Sequence, residues 1–260
     1  MRPGRGLIIP GRLRLLSVQA AWAGLAGFAA LALGYAVLRH GTETFRAGMW
    51  LLVSTSVFCY FLIHLTVRLK GNRSSSREGL HPTLGPANLL TLARSLLAAY
   101  LAGFVAFPPG AMVIPWAPGV IYLLVVVGDA LDGLVARRTG RVTELGSELD
   151  MATDRMAFLA AIGVAVVQDK LHSGFLILGL LPYLFAAHMY FRRRASGPTP
   201  SPVADGFRQL VGTLLTLFLA VALLPMFNSS QLHLPGVFLF CLALLSFGRD
   251  WLRVAREPMR

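Results

Sequence analysis

Apolar residues run in long blocks along this chain, separated by short polar stretches rich in Arg, Gly, Pro and Ser. Eight blocks approach the ~20 residues that a helix needs to cross the hydrocarbon core of a bilayer. They cover about residues 17–38, 47–67, 88–107, 116–136, 146–167, 173–191, 207–226 and 234–252. None alternates apolar and polar side chains with period two, so neither a half-buried sheet nor a transmembrane barrel fits. The pattern predicts an all-α integral membrane protein. The stretch KGNRSSSREGLHPTLGPAN (70–88) is polar and rich in turn formers. It predicts a linker over 70–87 that divides two N-terminal helices, within 1–69, from six helices within 88–260. A second loop, RRRASGPTPSPVADGF (192–207), carries three prolines, and no internal repeat is visible.

Composition agrees. Of 260 residues, 55% are hydrophobic and 14% are charged, far from a soluble average. The net charge of +12 would suit nucleic acid, but the basic residues cluster between apolar runs, which suits lipid headgroups and membrane topology instead. No nucleic-acid partner is expected. Cys59 and Cys241 lie inside apolar runs without metal-type spacing. Arg2, Arg5, Arg12 and Arg14 precede a first run too long for a signal peptide, so that run is read as a retained span.

The basic residues also orient the chain. With the N-terminus in the cytoplasm, the inside segments hold nineteen Lys and Arg, among them Arg68, Lys70, Arg73, Arg77, Arg137, Arg138, Arg141, the Arg192–Arg194 triplet, Arg208, Arg249 and Arg260. The outside loops hold three, Arg39, Arg46 and Lys170, while Arg94 and Arg155 fall just inside spans. Both termini are therefore expected in the cytoplasm.

One stretch departs from the apolar pattern. GDALDGLVARRTGRVTELGSELDMATD (128–154) joins the fourth and fifth runs and carries six of the twelve acidic residues. Asp129 and Asp132 are three apart, and Asp150 and Asp154 are four apart, so each pair shares a helix face. Two antiparallel helices would point all four at one spot on the cytoplasmic face. Carboxylates packed so closely repel unless a cation lies among them, and a hard divalent ion with oxygen ligands, Mg²⁺ or Mn²⁺, is the expected one. Gly133, Ala136 and Gly146 are small residues on the same faces. They leave room for close approach of a bulky ligand such as a nucleotide, or for tight helix packing. Pairing of the aspartates with Arg137, Arg138 and Arg155 as ordinary surface charges is the alternative for any single residue. It gives no account of four acids at these spacings.

The string Asp129-x2-Asp132-Gly133-x2-Ala136-Arg137-x8-Gly146-x3-Asp150-x3-Asp154 resembles the signature of the CDP-alcohol phosphatidyltransferases at every fixed position. Upstream, PANLLTLAR (86–94) is similar to the Pro-Asn-x-Leu-Thr-x-x-Arg motif that opens that family's first core span, with one extra residue after Pro86. The resemblance covers about residues 81–252. It implies a six-helix transmembrane catalytic core preceded, in this chain, by two additional transmembrane helices. It implies transfer of a phosphatidyl or similar phospho-alcohol group from a CDP-linked donor, such as CDP-diacylglycerol, to an alcohol or phospho-alcohol acceptor, with release of CMP. Two metal ions would bridge the donor's pyrophosphate. Asp129, Asp132, Asp150 and Asp154 would be the metal ligands, with Asp154 also the catalytic base. Asp129, Asp132, Gly133, Ala136, Arg137 and Gly146 would flank the nucleotide. Family members often pair, so a homodimer is expected, with no interface legible.

Arg208 opens the seventh run on the same side, and its position suits the phosphate of a phosphorylated acceptor. His64 and His188 are expected as packed or interfacial side chains, Glu144 and Glu148 as loop charges, and Asp205 and Asp250 as isolated interfacial acids. A transporter with a cytoplasmic carboxylate ion site is the alternative function, but it would show repeated halves or charges near the midplane. A non-enzymatic scaffold would leave the carboxylate spacing without a reason.

Overall fold

The computed structural model describes residues 10–73, 80–140, 142–196 and 206–256. Arg2, Arg5, Ser75, Arg77, Arg141, Asp205 and Arg260 lie outside the described residues, as do the side chains of Arg193 and Arg256. Among the described residues eight α-helices follow one another: α1 (Pro10–Arg39), α2 (Thr44–Arg68), α3 (Gly85–Gly103), α4 (Ala117–Thr139), α5 (Glu144–Val167), α6 (Phe175–Ser196), α7 (Gly206–Ala222) and α8 (Ser229–Arg256). Each apolar block of the sequence falls on one of them. The chain is an all-α integral membrane protein.

Six of the helices are long and apolar enough to cross a membrane by themselves: α1, α2, α3, α4, α6 and α8. The other two differ for separate reasons. Helix α7 is short, at 17 residues. Helix α5 has 24 residues, but its first half carries Glu144, Glu148, Asp150, Asp154 and Arg155. Its neighbours make that tolerable. Helix α5 packs against α2, α3, α4, α6 and α7, so most of its length meets protein rather than lipid. The side chains it buries are small or aliphatic, among them Ala152, Ala157, Ala160, Ala161 and Ala165. Large apolar side chains such as Trp22, Leu33, Leu184, Leu217 and Phe238 face outward around the bundle, as a hydrocarbon solvent requires.

Helix α3 lies between α2, α4 and α5 and joins the N-terminal pair to the rest. Ala98, Ala99, Ala102 and Gly103 give it a buried small-residue face that lets neighbouring backbones approach. At Gly103 an added Cβ would lie 2.7 Å from Trp50 Nε1 of α2, so glycine is what admits the indole. The turn between α4 and α5 is short. Gly140, in the left-handed region at φ 62°, ends α4, and its N–H returns to the carbonyls of Ala136 and Arg137. Thr143 then caps α5 by accepting the Gly146 N–H at 3.0 Å. This tight hairpin brings the acidic ends of α4 and α5 alongside α3.

Candidate active site

All four aspartates of the 128–154 stretch converge on one side chain, Arg94 of α3. Its Nη1 donates to Asp132 Oδ2 at 2.5 Å and to Asp150 Oδ1 at 2.7 Å. Its Nη2 donates to Asp154 Oδ1 at 2.7 Å and lies 3.1 Å from Asp129 Oδ1. The Nε–H goes to the Val125 carbonyl at 3.0 Å, so every face of the guanidinium is used. Side-chain exposure is 2% for Arg94 and 6% for Asp132, against 34% for Asp150, 48% for Asp129 and 50% for Asp154. The cluster therefore has a dry floor and an open mouth.

Two neighbours hold the floor in place. Gly128 lies under the arginine stem, where an added Cβ would sit 2.8 Å from Arg94 Cγ and 2.9 Å from Cδ. The Thr91 hydroxyl, one turn before Arg94, lies 3.0 Å from Asp132 Oδ2 and 3.1 Å from the Ala87 carbonyl. Four carboxylates against one guanidinium leave a formal surplus of three negative charges. In a partly desolvated site that surplus favours a further cation. Oxygens of Asp129, Asp132 and Asp150 lie within 4.8 Å of one another, an all-oxygen donor set that fits a hard divalent ion. Asp154 falls outside that group of three.

Beside the cluster is a cavity of about 280 Å³ whose walls include Asp132, Gly133, Ala136, Arg137, Gly146 and Asp150. Asp132, Gly133, Ala136, Arg137 and Gly146 are five of the six residues expected against a nucleotide; the sixth, Asp129, is not in this wall, and Asp150 was expected as a metal ligand. The structure gathers the wall residues around one space, together with Asn88 and Thr91 of the PANLLTLAR motif and with Thr143 and Ser147, of which nothing was expected. Gly146 has a second reason to be glycine: a Cβ there would run into the Asn88 Oδ1. A larger cavity, about 610 Å³, lies at the opposite end of α5, with Lys170, His172, His233 and Phe175 in its wall. Its cation is already engaged, because Lys170 Nζ donates to the Ala222 and Leu224 carbonyls at 3.0 and 2.6 Å. Burial there lowers the pKa of Lys170. Among the described residues the three-carboxylate group lies only at the smaller cavity, so the chemistry points there.

Other expected residues go elsewhere. Arg208 is not drawn into the cluster; its Nη1 lies 3.5 Å from Asp250 Oδ2 of α8. Asp250 is thus paired rather than isolated. Glu144 and Glu148 belong to the first turns of α5 and reach Arg73 at 3.2 Å and Arg68 at 3.3 Å. The His64 ring lies tilted against Tyr60 and that of His188 against Trp251, and the Nε2 of each is buried without a hydrogen bond. Arg94 ends the PANLLTLAR motif and falls just inside a span, yet no role at the site was expected of it. The available signal was a charge inside a span, which is expensive in lipid unless it has a partner.

Helices of membrane-spanning length, with an acid-lined floor shared by α3, α4 and α5, define a polytopic membrane protein built around one carboxylate cluster. The chain belongs to the CDP-alcohol phosphatidyltransferase family, whose model matches residues 84–248. It is also 38% identical over 103 residues to an archaetidylinositol phosphate synthase from Aeropyrum pernix. That match covers 38% of this chain and 50% of the relative, so the matched part spans about half of that protein's length. No solved structure matches the chain. Helices α1 and α2 lie outside the residues that the family model matches.

Proposed function

We propose that the protein transfers a phosphatidyl or similar phospho-alcohol group from a CDP-linked lipid, such as CDP-diacylglycerol, to an alcohol hydroxyl and releases CMP. The observation that carries this reading is the convergence of the four signature aspartates beside a cavity lined by Gly133, Ala136 and Gly146. Asp129, Asp132 and Asp150 would hold Mg²⁺ or Mn²⁺, and bound metal would neutralise the pyrophosphate and acidify the acceptor hydroxyl. The cavity beside them would take the cytidine end of the donor, with Arg137 against a phosphate. The acceptor oxygen attacks the lipid-bearing phosphorus, the bond from that phosphorus to the CMP oxygen breaks, and the hydroxyl proton passes to Asp154. The exposed side chain of Asp154 is open to an entering alcohol. The site would face the cytoplasm, with both termini on that side, a placement that the distribution of Lys and Arg supports.

The relative's name points to a phosphorylated inositol as the first acceptor to test. A route for ions is disfavoured because the acids come from one hairpin and turn inward onto Arg94. The test is CMP release from CDP-diacylglycerol by purified protein in lipid, with acceptors screened by mass spectrometry of the lipid product. Metal-dependent CMP release, abolished by chelation, is expected. Release of CMP at an undiminished rate in excess chelator would remove the metal role, and no release with any acceptor would remove the function.

A further inference from the structure

Helices α1 and α2 lie outside the family match, yet the chain that leaves α2 runs directly behind the candidate nucleotide cavity. After a 3₁₀ turn at Leu69–Gly71 comes Asn72, whose exposure is 0%. Its backbone is fixed from both sides: the N–H donates to the Leu69 carbonyl at 3.1 Å, and its carbonyl accepts from His81 N at 2.8 Å. The side chain then has a single sensible orientation. Its Nδ2 faces two backbone carbonyls, Thr83 at 2.9 Å and His81 at 3.4 Å, which can only accept. The Oδ1 therefore faces Asn88 and accepts its Nδ2–H at 3.1 Å. The Thr143 hydroxyl lies 3.3 Å from both amide atoms of Asn88, placed to donate to Oδ1 or to accept from Nδ2. The same hydroxyl accepts the Gly146 N–H at 3.0 Å. The bonds form one continuous chain, from Gly146 through Thr143 and Asn88 to Asn72 and the carbonyls behind it. Asn88, Thr143 and Gly146 line the cavity, and Asn72 does not.

We propose that Asn72 is a positioning residue for the nucleotide pocket, and that the segment leaving α2 braces that pocket from outside the family core. The proposal rests on the function proposed above. Asn88 is 4% exposed and Thr143 5%, so no bulk water replaces a lost partner at this depth. Without Asn72 the Asn88 amide keeps Thr143 as a partner but has one buried N–H left to satisfy. It turns to find an acceptor, and the wall formed by Asn88, Thr143 and Gly146 turns with it. The segment is held to α5 by further contacts. Arg73 pairs with Glu144 at 3.2 Å, Arg68 pairs with Glu148 at 3.3 Å, and Glu144 N donates to the Arg73 carbonyl at 3.3 Å. Gly71 lies flat on the first turn of α5, where an added Cβ would be 3.3 Å from Leu145 N.

The test uses the full chain in lipid nanodiscs with Mg²⁺, and cytidine 5′-diphosphate as the probe. Calorimetry on Asn72→Ala is expected to show a Kd weakened roughly tenfold, the size of one buried hydrogen bond of about 1.4 kcal/mol. KM for the CDP-lipid should rise with it, and kcat should change less. Asn72→Ala added to Asn88→Ala should weaken binding no further, because both break the same chain. A purely structural Asn72 would lower the unfolding midpoint and leave Kd unchanged well below it, which would overturn the proposal. Should Asn72→Ala fail to fold, hydrogen exchange on the wild-type protein decides the matter. Binding of the nucleotide is expected to slow exchange in peptides spanning 69–73 and 80–84 together with 128–154. Protection of 128–154 alone would overturn the proposal. Wild-type protein that does not bind the nucleotide at all would instead remove the function on which it rests.

Discussion

Arg94 and Asp132 meet at 2.5 Å where neither has appreciable contact with solvent. A buried ion pair of this kind adds modest net stability, but removing one partner leaves a stranded charge. Here three more carboxylates share the same cation. Arg94→Met is therefore expected to lower apparent stability in chelator by about 3–5 kcal/mol. Added Mg²⁺ should raise the unfolding midpoint of this variant more than that of wild type, since a bound metal stabilises the folded form that holds it. Thermal unfolding with and without metal measures both. An unchanged midpoint in chelator would show that Arg94 does not hold the cluster together.

Asp154 and Asp132 should separate by phenotype. Asp132 is buried between Arg94 and Thr91 and belongs to the three-carboxylate group, so Asp132→Asn should weaken metal and nucleotide binding along with turnover. Asp154 lies outside that group and is half exposed. Asp154→Asn keeps its shape and loses its basicity, so donor binding should survive while turnover falls roughly a hundredfold or more. Donor affinity and rate measured on the same protein distinguish a base from a ligand. Loss of donor binding together with rate would assign Asp154 to the metal instead.

Gly128→Ala sets two effects of opposite sign against each other. Alanine is favoured over glycine within a helix by about 1 kcal/mol. The new Cβ, however, would press on Arg94 Cγ and Cδ at 2.8 and 2.9 Å, and that stem is pinned at its far end by four carboxylates. The clash should win, giving a lower unfolding midpoint and reduced activity. A raised midpoint with full activity would mean that the stem can yield without cost.

For Arg208 the expectation concerns specificity. Its pair with Asp250 is loose at 3.5 Å and 42% exposed on the arginine side, so the pair adds little to stability. Arg208→Ala should leave the unfolding midpoint nearly unchanged and raise KM for a phosphorylated acceptor several-fold, with the donor KM unaffected. An unchanged acceptor KM would release Arg208 from that role.

Orientation in the membrane can be checked at Ser230, an exposed position in the first turn of α8. A cysteine there, in a background lacking Cys59 and Cys241, should react with an impermeant reagent added to intact cells. Reaction only after permeabilisation would invert the topology.

Much of this arrangement was legible because its signals are local. The apolar blocks each became a helix, since a span's length and composition are read along the chain. The faces shared by Asp129 with Asp132, and by Asp150 with Asp154, follow from helical spacing alone. What was hidden lies across sequence distance. Spacing within α4 and α5 shows that the acids need a cation, but not that α3 brings one of its own in Arg94. Asn72 looked like part of a polar linker, because a Gly-Ser-rich stretch gives no sign that one member is fully buried. The C-terminal end of α4 was also misjudged: it continues through Arg137 and Arg138 to Thr139, because cations are favourable at a helix C-terminus.

The position of Arg94 has a consequence for how the bundle assembles. Helix α3 alone would carry an unpaired guanidinium into the bilayer, and the α4–α5 hairpin alone would bring a knot of unpaired acids. Each piece is a poor guest in lipid, and together they are a good one. A slip of one helical turn between α3 and the hairpin would separate the charges again, so wrong alignments are penalised as strongly as absence of the partner. The side chain at the bottom of the site thus also acts as a registration pin, admitting one docking of the three helices and rejecting its neighbours before any substrate arrives.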